Sequence, residues 1–285
     1  VPNAAFFDLD KTIIARSSAL AFTTPFAKAG LISKSSLLRN LVAQTLFTLG
    51  GADHKKTERL RIQLSKMVKG WSTAQVGEIV QETLHRFIEP IIYAEAADLI
   101  DAHHRQGRQV IIVSSSAIEI VEPIGMMLGA DEIIATRLKS VDGHYTGEIE
   151  YYAYGEAKAT AIVELAKRNG YDLSKCFAYS DSSTDIPMLR TVGFPSVVNP
   201  DMALRKIAVA NGWGICIFRR TVPLRERYQI EKPAMATTLG VTAFGLLAFA
   251  IARRYKRRRL RANEPILRKS QSHVAHLIGP HSQDA

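Results

Sequence analysis

The chain has 285 residues, 47% hydrophobic and 22% charged, enough to bury a full core in one large domain or two small ones. That apolar fraction excludes a wholly disordered protein, and 18 glycines with 11 prolines exclude a collagen-like one. The net charge of +10 is local: Lys232 onward carries 10 Lys and Arg against 2 Asp and Glu, leaving the first 231 residues at +2. A generally basic nucleic-acid-binding domain is therefore not expected.

Ala4 to Phe7 is an apolar run closed by Asp8-Leu9-Asp10, the pattern of a strand buried on both faces of a parallel sheet. No basic segment followed by an apolar stretch and a cleavage site precedes it, so no secretory signal is expected in this sequence. From Ser17 to Tyr93 the pattern is helical, with Leu37, Leu38, Leu41 and Val42, and then Leu60, Leu64, Met67 and Val68, at helical spacing. Helices are predicted at Ala94–Arg105, Ile118–Leu128 and Ala157–Asn169. Strands are predicted at Val110–Ser114, Glu132–Ala135, Cys176–Ser180, Ser196–Asn199 and Gly214–Phe218. A hairpin over 137–150 turns at Asp142-Gly143. This alternation predicts an α/β fold: a Rossmann-like parallel sheet with flanking helices, formed by 1–16 and 94–218, with 17–93 inserted as a helical cap. Cys176 and Cys216 lie far apart and form no CxxC pair, so neither a disulfide framework nor a zinc site is expected, and a reducing compartment fits.

After a basic linker at 219–233, Ala234 to Ala252 runs nineteen residues without a charge, and Arg253–Arg261 then holds seven basic residues in nine. That length just suffices to cross or insert into a hydrocarbon core, and the flank suits anionic lipid. A buried core helix is the alternative. Residues 253–285 read as a basic, disordered tail. The positive-inside rule alone would put the body outside, but both flanks are basic. A shallowly inserted helix with the body on the cytoplasmic face of the cell membrane is the expectation.

The chemistry concentrates at strand ends. Asp8 and Asp10 are two carboxylates at i and i+2 closing an apolar strand, where burial of like charge calls for a cation or a shared proton, although a turn or helix cap would also use them. Ser114 ends a predicted strand and begins Ser114-Ser115-Ser116, an anion-binding corner or an ordinary helix cap. Lys158 opens a helix, alone no more than a solvated lysine. Asp181 and Asp185 follow another apolar strand in Tyr179-Ser180-Asp181-Ser182-Ser183-Thr184-Asp185. Together, four acids, a hydroxyl and a lysine at the ends of parallel strands describe a metal-assisted phosphoryl-transfer site, with a hard divalent cation such as Mg²⁺ on the carboxylates.

In that order, Asp8-Leu9-Asp10-Lys11-Thr12, Ser114, Lys158 and Asp181–Asp185 resemble the haloacid dehalogenase superfamily. Asp142-Gly143-His144-Tyr145-Thr146-Gly147 resembles its phosphoserine-phosphatase-like branch, subfamily IB. The resemblance spans residues 4–218. It implies a phosphomonoester hydrolase with Asp8 as nucleophile and Asp10 as general acid and base. Ser114 and Lys158 would bind phosphate, and Mg²⁺ would be held by the Asp8 carboxylate, the Asp10 carbonyl and Asp181. Asp185 would orient Lys158 or a metal-bound water. Thr184 departs from the asparagine of phosphoserine phosphatases. So does Ser17, where they carry the glutamate that pairs with the substrate ammonium, which speaks against phosphoserine itself. A small or lipid-like phosphomonoester is the expectation. Phosphoserine phosphatase, a phosphotransferase and a non-catalytic membrane-bound regulator are the alternatives.

Overall fold

The computed structural model describes residues 3–32 and 65–221. Its centre is a seven-stranded sheet of order β4-β3-β2-β1-β5-β6-β7: β1 Ala4–Phe7, β2 Gln109–Ala117, β3 Glu132–Val141, β4 His144–Tyr151, β5 Phe177–Ser180, β6 Phe194–Val198 and β7 Gly214–Cys216. Every pairing is parallel except β3 with β4.

The two-sided burial expected of β1 has a direct cause. Ala5 and Phe7 face one core, and Ala4 and Phe6 face the other; β2 repeats this with Val110 and Ile112 against Ile111 and Val113. On the Phe7 side lie α1 (Ser18–Ala21), α2 (Thr23–Lys28), α3 (Thr73–Phe87), α4 (Ala94–Arg105) and α5 (Ile118–Leu128). On the Phe6 side lie α6 (Glu156–Asn169), α7 (Ile186–Arg190) and α8 (Met202–Ala210). Because β1 is flanked by β2 on one side and β5 on the other, the chain's connections diverge there and leave a crevice at the carboxyl end of β1.

Three details depart from the sequence reading. The predicted strand at Glu132 and the first hairpin arm are one strand, β3. It pairs with β2 up to Thr136 and with β4 from Arg137 on; its outer half is charged and exposed, so the apolar signal stops before the strand does. Strand β2 runs on through Ser114 to Ala117 with a register shift, so Ser114 lies inside the strand and not at its junction with α5. Helices α7 and α8 have no counterpart among the predicted elements; α8 is capped by Asp201, whose Oδ1 accepts from the Leu204 N–H at 2.7 Å. The Asp142-Gly143 turn is present, both residues at positive φ.

Between 17 and 93, the described helices include α1, α2, α3 and a short 3-10 helix at Glu89–Ile91. Leu37–Val42, Leu60 and Leu64 lie outside the described residues, as do the segments 234–252 and 253–285. Among the described residues no helix is long and apolar enough to cross a membrane. Cys176 and Cys216 are buried free thiols.

Beneath the crevice, His103 of α4 is wholly buried against the Phe7 and Tyr179 rings. Arg108 Nε donates to its Nδ1 at 2.7 Å. A guanidinium cannot accept, so the ring proton sits on Nε2 and is given to Tyr179 Oη at 2.9 Å. Burial, then Arg108 and His104, push the imidazole from its ordinary 6.5 down to about 3. Between those values the unfolded chain binds a proton that the folded one does not. Stability should therefore fall by up to about 1.4 kcal/mol per unit as pH drops through this window. Urea titrations at pH 4 to 7 should show a shallower slope for His103→Gln.

Candidate active site

Asp8 follows β1 directly, and its N–H donates to the Tyr179 carbonyl of β5 at 2.9 Å. This continues the ladder and fixes the residue at the divergence of β2 and β5. The chain then turns through Lys11, whose φ of 61° is an uncommon conformation for a residue with a side chain. That turn returns Thr12 toward the strand: its Oγ1 lies 3.4 Å from Asp8 Oδ2 and 3.5 Å from Asp181 Oδ1, and accepts from the Asp181 N–H at 3.0 Å. Thr12 thus holds together the ends of β1 and β5.

Lys158 enters from the first turn of α6 and is buried. Its Nζ donates to Asp8 Oδ1 at 2.7 Å and to Asp185 Oδ2 at 2.8 Å. Asp185 Oδ2 also accepts from Ser180 Oγ at 2.7 Å, so its position is set from two sides. Asp185 thus lies against the lysine ammonium and the Ser180 hydroxyl together.

Asp10 faces the other way. Its Oδ1 accepts from the Ser18 N–H at 2.8 Å and its Oδ2 from Ser116 Oγ at 3.2 Å, while the Ser18 and Ser116 hydroxyls meet at 2.9 Å. Ser114 is buried on β2, and its Oγ accepts from the Ser116 N–H at 3.2 Å. The structure thus joins Asp8, Lys158 and Asp185 directly, links Asp181 through Thr12, and links Asp10 to the Ser114–Ser116 stretch. Thr12, Ser18, Ser116 and Ser180 are additions that the sequence reading lacks. Thr12 stands within the Asp8–Thr12 motif, Ser116 within Ser114-Ser115-Ser116 and Ser180 within the Tyr179–Asp185 run, but nothing in the pattern points to Ser18.

Electrostatically the site is short of positive charge. Burial pushes the Asp8 carboxyl well above the ordinary carboxylate range; Lys158 pulls it back, while Asp185 and Asp181 raise it further. Burial likewise raises Asp10 against the hydrogen bonds from Ser18 and Ser116. It lifts Asp181 to about 6, with Lys11 the main opposing influence. Burial disfavours the Lys158 ammonium, but Asp8 and Asp185 outweigh it and keep the lysine charged. One buried cation therefore serves several carboxylates, an arrangement a divalent cation would complete. Among the described residues, no three Asp, Glu, His or Cys side chains converge to hold a metal by themselves. With both Asp10 oxygens already hydrogen-bonded, the donors that fit are the Asp8 and Asp181 carboxylates and main-chain or water oxygens, as suits Mg²⁺.

Residues 5–190 match the family of haloacid dehalogenase-like hydrolases. The chain belongs to that family. An inhibition of morphological differentiation protein of Streptomyces azureus is 53% identical over 263 residues, spanning 92% of this chain and 95% of the relative. A probable phosphatase of Mycobacterium tuberculosis is 52% identical over 258 residues, spanning 89% and 90%. A phosphoserine phosphatase solved with a phospho-aspartyl intermediate analogue superposes with a TM-score of 0.56 at 21% identity, covering 81% of this chain and 99% of that one, a likeness of fold. This haloacid dehalogenase-like chain is a phosphatase.

Proposed function

We propose that the protein is a Mg²⁺-dependent phosphomonoester hydrolase working through an aspartyl-phosphate on Asp8. The observation that carries this reading is the buried Lys158 bridge, which holds Asp8 Oδ1 at 2.7 Å while Oδ2 has only the longer Thr12 contact at 3.4 Å. Asp8 Oδ2 attacks phosphorus as the bond to the leaving oxygen breaks, and Asp10 gives that oxygen a proton. Water then attacks the phosphorus of the acyl-phosphate and loses a proton to Asp10, freeing phosphate and the Asp8 carboxylate. The elevated Asp10 ionisation suits the first of these tasks. Lys158 and Ser114 hold the phosphoryl oxygens and offset the charge that grows there. The Asp8 and Asp181 carboxylates and the Asp10 carbonyl would hold Mg²⁺, which would supply charge neutralisation for substrate and nucleophile.

Residues 17–93 act as the cap over the core in this reading. The hairpin supports it: Tyr145 N–H donates to the Trp71 carbonyl at 3.0 Å and the Gly70 N–H to the Tyr145 carbonyl at 2.8 Å. For 234–261 we propose attachment to anionic lipid with the catalytic part on the cytoplasmic face, supported by the uncharged run and its basic flanks. The substrate is then a small or lipid-like phosphomonoester.

The test is phosphate release by the full chain from p-nitrophenyl phosphate, phosphoserine, sugar phosphates and lysophosphatidate, with Mg²⁺ and with EDTA. Turnover that vanishes in EDTA and returns with Mg²⁺ is expected. Release unaffected by EDTA overturns the metal assignment, and a folded chain that hydrolyses none of the panel counts against the mechanism.

A further inference from the structure

Strand β2 breaks its register where it reaches the crevice. Ser114 lies opposite Ala135 of β3 and Ala117 opposite Thr136, so β2 advances three residues while β3 advances one. A bulge of this kind leaves residues outside the ladder and re-aims their side chains, and bulges recur beside active sites. This one is braced from β3: buried Thr136 donates its hydroxyl to the Ser115 carbonyl at 2.8 Å and accepts from the Ala153 N–H at 3.2 Å. Phosphate binding by Ser114 gives no reason for the bulge. Its consequence is the placement of Ser116 against Asp10.

Ser116 makes three bonds from that position. Its N–H donates to Ser114 Oγ at 3.2 Å, its hydroxyl donates to Asp10 Oδ2 at 3.2 Å, and its oxygen meets the Ser18 hydroxyl at 2.9 Å. Because the Ser116 proton points to Asp10, the Ser18 hydroxyl is the donor in the last of these. Ser18 also donates its N–H to Asp10 Oδ1 at 2.8 Å. Two serines 98 residues apart thus grip both oxygens of one carboxyl group.

The two grips differ chemically. An N–H only donates, so Oδ1 is committed as an acceptor. A hydroxyl both donates and accepts, so Oδ2 can hold or release a proton with its partner still in place. The proton that Asp10 gives to a leaving oxygen therefore departs from Oδ2, and the Ser116 hydroxyl sets the direction in which Oδ2 faces. Proton transfer demands hydrogen-bond reach and alignment. A carboxyl free to rotate about its bond to the chain meets that demand only part of the time.

We propose that Ser116 is a positioning residue for proton delivery, holding Asp10 Oδ2 toward the leaving oxygen with the Ser18 hydroxyl bonded behind it. This rests on the phosphomonoesterase reading above. Neither serine touches the reacting atoms; both act through Asp10.

The test is kcat/KM of the full chain, with Mg²⁺, on substituted phenyl phosphates from p-nitrophenyl to p-methoxyphenyl. These esters keep nearly the same shape while the leaving oxygen grows more basic and depends more on receiving a proton. A fault in proton delivery therefore makes the loss depend on the ester, which a general loss of structure does not. Ser116→Ala should lose about tenfold or more on the p-methoxyphenyl ester relative to the p-nitrophenyl ester, and Ser116→Thr should restore most of it. Ser18→Ala, which keeps the N–H, should show the same trend more weakly. With Asp10→Asn already in place, Ser116→Ala should add nothing to the trend. An equal loss on every ester, or a trend that persists undiminished in Asp10→Asn, overturns the proposal. If Ser116→Ala fails to fold, the trend or its absence in Ser18→Ala decides. An active wild type with ester-independent losses discards this assignment alone, whereas a folded wild type that releases phosphate from no ester discards the hydrolytic reading and this assignment with it.

Discussion

Asp8→Asn is expected to cut phosphate release by about 10⁴-fold or more, the scale of losing a covalent nucleophile, while making the metal-free protein harder to unfold. The two effects share one cause. In the folded chain the Asp8 carboxyl is raised by burial and by Asp185 and Asp181, with Lys158 its main relief. A carboxyl raised in the folded state contributes stability that is complete below its unfolded value and lost as pH rises through its folded one. Asp181, pushed up to about 6, behaves in the same sense. Metal-free wild type should therefore lose stability as pH rises from about 4 to about 8. Asparagine keeps the shape, removes the charge and leaves Lys158 paired with Asp185 alone. At pH 8 in EDTA, urea titration should find Asp8→Asn about 2 kcal/mol more stable than wild type. The gap should narrow at pH 5 and again on adding Mg²⁺, which relieves wild type more than the variant. A variant less stable than wild type at pH 8 would show that the Lys158 ion pair outweighs the burial of Asp8.

Features of this fold differ in the trace they leave in the sequence. Strand β1 is legible to the residue because four apolar residues between polar ends suit a buried strand and are too few for a buried helix. Asp8 and Asp10 follow from its end. Lys158 illustrates the opposite case. By itself it is an ordinary lysine on a helix, and only the order of the surrounding motifs gives it a role; the structure then buries it between Asp8 and Asp185. The hydroxyl of Ser18 leaves no trace, since a serine has no periodicity and the Ser18–Ser116 contact spans 98 residues. Strand β3 reads short because its outer half carries charge, and α8 is hard to read because its burial rests on little more than Leu204 and Ala208.

Lys158→Met should be the most damaging single change to the fold within the site. Methionine fills most of the space of the lysine stem but removes the ammonium that lies 2.7 Å from Asp8 and 2.8 Å from Asp185. Breaking a buried ion pair by deleting one partner typically costs about 3–5 kcal/mol, and here two carboxylates lose their partner together. The loss should be larger at pH 8 than at pH 5, because the carboxylates can regain neutrality only by taking up protons. Phosphate release should fall by about 10²–10³-fold or more, as when a transition-state charge partner is removed. The decisive measurement is a double-mutant cycle at pH 8. With Asp8→Asn already in place, one carboxylate fewer is stranded, so the added cost of Lys158→Met should drop by about half. If that cost stays the same, Lys158 holds the fold through Asp185 and its packing alone, and its bond to Asp8 has no energetic weight in the metal-free protein.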